Sequence, residues 1–214
     1  MRIVIAGGHG QIARQLGRLV AATGHQAVGM IRRPEYIPDL QEDGVEPALI
    51  DLEDTDVPAM TEIVRGADVV VFAAGGGPDG NAARKETVDK GAAIMLADAA
   101  EAAGVRRYVM VSTMGTETAD PDSSDVWDVY LRAKQAADDD IRSRDLDWTI
   151  VQPGRLTDDV PGGLVRVGTL ERGSVTRGDV AHVLAELIEA DNTIGKTFDL
   201  LAGDVPVKRA VASL

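Results

Sequence analysis

The sequence IVIAGGHGQIA at residues 3–13 decides the fold of this chain. Its first four residues are apolar and mostly β-branched, which predicts a buried strand of a parallel sheet. The glycines that follow permit a tight turn, so that backbone N–H groups at the start of the next helix can approach a pyrophosphate. Ala13 stands where a small third residue lets that helix lie close to the strand. The spacing G-x-x-G-x-x-A directly behind a strand therefore predicts a dinucleotide-binding loop.

The end of the second apolar run indicates which dinucleotide is bound. Arg32 and Arg33 follow that run, where NAD-specific proteins use a carboxylate to accept a hydrogen bond from the ribose 2′-OH. Arginine instead offers a planar fork of donors that suits the 2′-phosphate of NADP. The alternative is a pair of solvated loop arginines. With the glycine loop upstream, we predict an NADP site that includes these loop residues: Gly7, His9, Gly10, Gln11 and Ile12.

Two further strand ends supply candidate cofactor contacts. Asp51-Leu52 closes the third strand, where a side chain can meet the adenine edge, and an ordinary loop aspartate is the alternative. The small residues Ala73-Ala74-Gly75 end the fourth strand and let the central part of a cofactor pass close to the backbone. We leave Gly76-Gly77 outside the site, because they fit a flexible turn.

Strands and helices alternate along the chain. Strand-like apolar runs occur at residues 2–6, 27–31, 47–50, 68–74, 107–112, 148–152 and 197–201. Apolar spacing of three and four residues predicts helices at residues 11–23, 81–103, 126–144 and 179–190. This alternation predicts a doubly wound α/β Rossmann-type fold, with a parallel sheet of about seven strands and helices on both faces. We expect a single domain over residues 1–214, in which the irregular, Gly- and Pro-rich region 153–178 supplies substrate loops.

The motif YLRAK at residues 130–134 is the candidate catalytic centre. Tyr130 and Lys134 are four apart on a predicted helix, which places the phenol and the ammonium on one face. The Lys134 charge should favour the phenolate and lower the pKa of Tyr130, and such a Tyr can exchange a proton with a carbonyl or alcohol. Ser112, at the end of the fifth strand, could hold the same substrate oxygen. A chance Tyr–Lys pair is the alternative.

Charge and composition limit the classes of partner. The net charge of −13 argues against nucleic acid, because phosphate backbones bind to basic surfaces. Neither a long apolar run nor a signal peptide is present, so we expect a cytoplasmic protein that acts on a small molecule, away from membranes, as a monomer or homodimer. Asp supplies 24 of the 35 acidic residues and Arg 17 of the 22 basic ones. Salt adaptation and a high-GC genome, which favours Arg, explain this bias equally well.

These motifs together resemble the atypical short-chain dehydrogenase/reductase superfamily, in particular the small NAD(P)-binding proteins of the YhfK and biliverdin reductase B-like group. The resemblance covers essentially the whole chain and includes the motifs YVMVS at 108–112, WTIVQPG at 148–154 and VTRGDVA at 175–181. It implies a sheet of order 3-2-1-4-5-6-7, a Ser-Tyr-Lys site at Ser112, Tyr130 and Lys134, and cofactor contacts from Pro153-Gly154. Ala73 and Gln152 depart from the Asn and Arg that relatives often carry, which leaves the reaction open.

Other candidate sites are weaker. The three histidines are too scattered along the sequence to predict a metal site. Asp138-Asp139-Asp140 is expected to form a solvated helix face, and Trp127 fits either the substrate cavity or simple packing. The first hypothesis is an NADP-dependent oxidoreductase that acts on a small carbonyl, quinone or flavin-like acceptor. A non-catalytic NADP-binding regulator is the alternative, and a sugar epimerase or dehydratase is a third.

Overall fold

The computed structural model describes residues 1–77 and 80–214. The strands in these residues are, in chain order, β1 (Arg2–Ala6), β2 (Gln26–Ile31), β3 (Glu46–Leu49), β4 (Val69–Phe72), β5 (Arg107–Val111), β6 (Asp147–Pro153), β7 (Arg155–Thr157), β8 (Leu164–Gly168), β9 (Ser174–Thr176), β10 (Lys196–Ala202) and β11 (Val205–Pro206). The helices are α1 (Gln11–Ala22), α2 (Ile37–Glu42), α3 (Val57–Val64), α4 (Ala82–Arg84), α5 (Ala93–Ala103), α6 (Val126–Arg142), α7 (Arg177–Leu187) and α8 (Val207–Ala212). A π-helical segment, Lys85–Ala92, joins α4 to α5. Within the described ranges, no helix has the length and apolar character needed to cross a membrane.

The central sheet has the order β3-β2-β1-β4-β5-β6-β10-β8-β11. Its seven strands from β3 to β10 are parallel to their neighbours and correspond to the seven predicted runs. The predicted α/β fold and strand order are therefore confirmed. The direction of winding reverses between β1 and β4, so a crevice opens at the carboxyl ends of these strands, where such folds bind ligands.

The region predicted to be irregular, residues 153–176, contains strands instead. β8 pairs antiparallel with β10 and β11, which extends the sheet by two strands beyond the predicted seven. β7 and β9 pair with each other in a separate two-stranded ribbon. These strands are short and separated by Gly and Pro, so their sequences carry too few residues to show a period of two.

Alternating strand residues build two apolar layers, one on each face of the sheet. Ile3 and Ile5 of β1 pack with Leu16 of α1 and Leu184 of α7 on one face. Val4, between them, packs on the opposite face in a cluster that includes residues of α3, α5 and α6. A parallel sheet that is covered on both faces leaves its strand ends as the accessible place for chemistry.

Candidate active site

The glycine loop after β1 packs against backbone and has no room for side chains at two positions. Gly7 has a φ of +79°, and a Cβ on it would lie 2.7 Å from the Cα of Ala74. A Cβ on Gly8 would lie 2.7 Å from the Cα of Gly29 in β2. Because both neighbours are main-chain atoms, only glycine permits this close approach.

The start of α1 has the properties of an anion-binding helix terminus. Gly10 precedes the helix without a side-chain cap, and the first turn has no acidic residue. Gly10 and Gln11 are exposed, and Ile12 borders the large cavity described below. The first N–H groups of a helix have no partner within the helix, so these can bind a phosphate group. The loop therefore fits the pyrophosphate of a dinucleotide.

The two arginines after β2 lie near this loop. The guanidinium carbon of Arg33 is 6.0 Å from the centre of the Tyr36 ring. That ring stacks on His9 of the glycine loop, with 3.7 Å between centroids. His9 Nε2 also lies 2.7 Å from the Asp39 carboxylate. These contacts connect the end of β2 to the glycine loop, so Arg33 and the loop share one edge of the sheet.

The segment after β3 contributes an acid, Glu53, that was not among the predicted site residues. Asp51 accepts a hydrogen bond of 3.0 Å from the N–H of Glu53, and Leu52 packs against the core. The Glu53 carboxylate lies 3.9 Å from Arg32 and 3.0 Å from Arg84. Arg32 is thus partly neutralised. Nothing in the sequence around Glu53 indicates these contacts, because they join the ends of β2 and β3 to helix α4.

A cavity of about 940 Å³ lies at the carboxyl ends of the strands. The predicted site residues that line it are Ile12, Ala73, Ala74, Gly75, Ser112, Tyr130, Lys134, Pro153 and Gly154. The remaining predicted contacts, which lie outside its lining, are Gly7, His9, Gly10, Gln11, Arg32, Arg33, Asp51 and Leu52. Gly76, Gly77 and Trp127 also line the cavity, although the two glycines were not among the predicted cofactor contacts. Across the residues described, no cluster of three or more potential metal ligands occurs.

Lys134 forms a buried ion pair at the floor of this cavity. Its Nζ lies 3.4 Å from the Asp89 carboxylate and donates to the Val111 carbonyl at 3.1 Å. Asp89 also accepts from the N–H of Gly76 at 2.9 Å. Since both charged groups are almost completely buried, each compensates the other's loss of water. The pair also holds the loop after β4 against α6.

The pKa of Tyr130 is raised, which corrects the expectation that Lys134 would lower it. Burial of the phenol is the main cause. The Lys134 charge acts in the opposite direction, but the carboxylate of Asp89 offsets part of its effect. The Lys85 ammonium lies 5.5 Å from the centre of the Tyr130 ring, and the Trp127 ring lies 5.4 Å away. Tyr130 is therefore a protonated phenol at neutral pH.

Ser112 is held by a carboxylate beneath the cavity. Its Oγ donates to Asp138 Oδ2 at 2.8 Å, and Gln152 donates to the same oxygen at 3.0 Å. Asp138 is completely buried, so the prediction that it belongs to a solvated face was wrong. Burial raises the pKa of Asp138 to about 6, although Ser112 and the charge of Lys134 act against this shift. Its second oxygen, Oδ1, has no hydrogen-bond partner among the described residues.

Helical phase could have identified both buried carboxylates. Asp89 stands three, four and seven residues before the apolar Ala92, Ala93 and Leu96, which places it on the buried face of its helix. Asp138 follows Lys134 by four residues and shares its helix face. A charged residue in phase with the apolar positions of a helix is a candidate for a buried, functional group.

Comparison with known proteins relates this geometry to a family. The family described as NAD(P)H-binding matches residues 7–191. A Bacillus halodurans protein named provisionally as an NAD-dependent epimerase/dehydratase is 38% identical, with a TM-score of 0.92 and 100% of both chains covered. The oxidoreductase ylbE from Lactococcus lactis is 30% identical, with a TM-score of 0.88, over 100% of this chain and 96% of that one. YhfK of Bacillus subtilis (strain 168), named an uncharacterised sugar epimerase, is 30% identical over 100% of both proteins.

Proposed function

We propose that this chain, which belongs to the NAD(P)H-binding family, is an NADP-dependent oxidoreductase that reduces a small carbonyl, quinone or flavin-like acceptor. The observation that carries the proposal is the meeting of Ser112, Tyr130 and Lys134 at one cavity, which the small residues at the end of β4 also line. The name of ylbE, an oxidoreductase, supports the same reaction class.

NADP is proposed over NAD because of the charges near the glycine loop. Arg32 and Arg33 are both exposed, and no acid follows directly after β2. Glu53 is close enough to Arg32 to weaken its attraction for an anion, but Arg33 forms no ion pair with any described residue. A planar guanidinium that is not engaged by a carboxylate suits the 2′-phosphate.

The chain's own residues supply the proton and the positioning for reduction. Bound NADPH would supply the hydride. The Tyr130 hydroxyl is protonated at neutral pH and can donate to the oxygen or nitrogen of the acceptor. The Ser112 hydroxyl donates its one hydrogen bond to Asp138. Its lone pairs therefore remain available to accept a hydrogen bond from Tyr130 or from the reduced product. Lys134 fixes α6 against the loop after β4 and thereby positions Tyr130.

Tyr130→Phe tests this function. The change removes the hydroxyl and keeps the ring, so NADPH affinity should be unchanged while NADPH oxidation by an accepted quinone or aldehyde falls by about 100-fold or more. Tyr108→Phe is the matched control, because it removes a buried tyrosine hydroxyl that bonds to the Ala93 carbonyl, away from the cavity. Full activity of Tyr130→Phe would show that the proton comes from another donor.

A second candidate is NADP binding without turnover. It is favoured by the engagement of Lys134 with Asp89 and by the raised pKa of Tyr130, which makes the phenol a weaker acid. In this case the chain would bind NADPH while a broad set of carbonyl, quinone and flavin acceptors gave no NADPH oxidation. Micromolar or tighter binding without turnover would replace the reductase proposal with this one.

The name of YhfK favours a third candidate, sugar epimerisation or dehydration. After Pro153, the described residues form strand β10 of the central sheet, its extension by β8 and β11, the β7/β9 ribbon and the helices α7 and α8. Incubation with nucleotide sugars and NADP⁺ would distinguish the classes. Formation of an epimer with no net gain or loss of NADPH would support the epimerase.

A further inference from the structure

Two arginines of the β7/β9 ribbon stand at the rim of the cavity. Arg155 opens β7, and Arg172 lies two residues before β9. The ribbon holds them at the same end, because the N–H of Arg155 donates to the Gly173 carbonyl at 2.9 Å. Arg172 reaches across to the loop after β5, where its Nη2 would lie 3.8 Å from a Cβ on Gly115. Both side chains line the cavity that contains Ser112 and Tyr130.

The cavity is cationic although the chain is strongly acidic. Among the residues that the structure describes, its lining contains five cationic residues, Lys85, Lys134, Arg155, Arg172 and Arg177, and one acid, Asp89. Lys134 pairs with Asp89, and Arg177 pairs with Asp158 at 2.7 Å. Lys85 donates to the Gly77 carbonyl. Within the described part of the chain, the guanidinium groups of Arg155 and Arg172 have neither an ion pair nor a hydrogen bond.

The molecule has an excess of carboxylates, and these engage many of its other arginines. Arg14, Arg106 and Arg144, for example, each contact two or more carboxylate residues. Two guanidinium groups without such partners at one cavity mouth create a local attraction for an anion inside a molecule that otherwise repels anions. Their planar forks match the two oxygens of a carboxylate.

The same cavity also has apolar lining residues. The Trp127 side chain is 57% exposed although it lines the cavity, and the Tyr130 ring lies 5.4 Å from it. Leu156 of β7 also contributes to the lining. An exposed indole and two unpaired arginines in one cavity suit a ligand with a flat apolar body and an anionic end.

We propose that the acceptor reduced at this cavity is an organic carboxylate, held by Arg155 and Arg172, with its apolar body against Trp127. That the bound carboxylate is also reduced rests on the proposed oxidoreductase function. The anion site itself is a matter of binding and can be measured without turnover. Arg155 and Arg172 are substrate-binding residues in this proposal, and Tyr130 remains the proton donor.

A matched pair of aldehydes tests the proposal. The dissociation constants of 4-carboxybenzaldehyde and its neutral methyl ester would be measured by ligand-observed NMR, on protein saturated with NADP⁺. The carboxylate should bind about tenfold or more tightly than the ester, since charge-assisted hydrogen bonds to Arg are strong, and the difference should shrink in molar salt. Arg155→Gln with Arg172→Gln should abolish the difference and leave NADPH affinity unchanged.

Arg166→Gln with Arg209→Gln is the control, because it changes the net charge equally at two exposed arginines outside the cavity lining. Equal binding of acid and ester to the parent protein would overturn the proposal, as would a difference that the control pair abolishes. A loss of NADPH affinity in the Arg155/Arg172 variant would assign these arginines to the cofactor instead. If the binding difference is found but neither these aldehydes nor a broad set of carbonyl, quinone and flavin acceptors oxidise NADPH, the anion site stands and the reductase function fails.

Discussion

Asp138 is the residue whose charge state should most affect stability. Burial raises its pKa to about 6 in the folded protein, above the value of about 3.9 expected in an unfolded chain. Its favourable contribution is therefore complete below the unfolded pKa and is lost as the pH rises through about 6. By pH 8 the ionised carboxylate should lower the free energy of unfolding by roughly 2 to 3 kcal/mol relative to its protonated form.

Asp138→Asn removes this titration, so the stability of the variant relative to the parent should increase from pH 4 to pH 8. Urea unfolding at both pH values measures the difference. Asp139→Asn is the control, because Asp139 is its exposed neighbour on the same helix. A relative stability that stays constant with pH would contradict a raised pKa for Asp138.

Arg32 and Arg33 should determine the choice between NADPH and NADH. We expect the parent protein to bind NADPH at least about tenfold more tightly, or roughly 1.4 kcal/mol, because only NADPH carries the 2′-phosphate. Arg32→Ala with Arg33→Ala should remove most of this preference, as measured by calorimetry. Arg65→Ala is a control on the exposed end of α3, where Arg65 pairs with Glu62. Equal affinities for the two cofactors in the parent protein would refute the NADP assignment.

At the scale of elements, the approach of the glycine loop to β2 is a backbone contact that cannot relax by side-chain rotation. A Cβ on Gly8 would lie 2.7 Å from Gly29 Cα and 2.8 Å from Gly29 C. Gly8→Ala should therefore displace the loop, lower the free energy of unfolding by about 1 to 3 kcal/mol, and weaken NADPH binding. Thermal unfolding and calorimetry measure the two effects.

Gly162→Ala provides the comparison for this element. Apart from its two chain neighbours, no described residue has an atom within 4 Å of a Cβ at Gly162, and its φ is not positive. Its stability and NADPH affinity should stay close to those of the parent protein. If both alanine variants behaved alike, the loop would be more adaptable than its packing indicates.

At the scale of the whole molecule, the net charge of −13 should make stability depend on salt. Self-repulsion is weakly screened at low ionic strength, where the Debye length is about 30 Å at 0.01 M, and strongly screened at 1 M, where it is about 3 Å. The melting temperature should rise steeply from dilute buffer to molar KCl. A melting temperature that stayed flat or fell with salt would favour a high-GC genome as the cause of the Asp and Arg bias.

The sequence by itself determined the parallel core of the fold and the nucleotide-binding edge. The β1 run, the glycine loop and the start of α1 are contiguous, so their spacing alone specifies a strand, a turn and a helix. The parallel sheet followed from β/α alternation, which is a repeated local pattern, and the strand order followed from the family resemblance. Tyr130 and Lys134 were found because they are neighbours on one helix.

Only the tertiary structure decided which buried polar and charged side chains contact one another. Lys134 meets Asp89 across 45 positions of sequence, and Ser112 meets Asp138 across 26. Both pairs depend on how separate elements pack, and burial there reversed the expected direction of the Tyr130 pKa shift. The ribbon that carries Arg155 and Arg172 has three-residue strands whose pairing exists only in the folded chain. Local sequence fixes elements and their order, whereas charge pairing and desolvation depend on distances that folding alone creates.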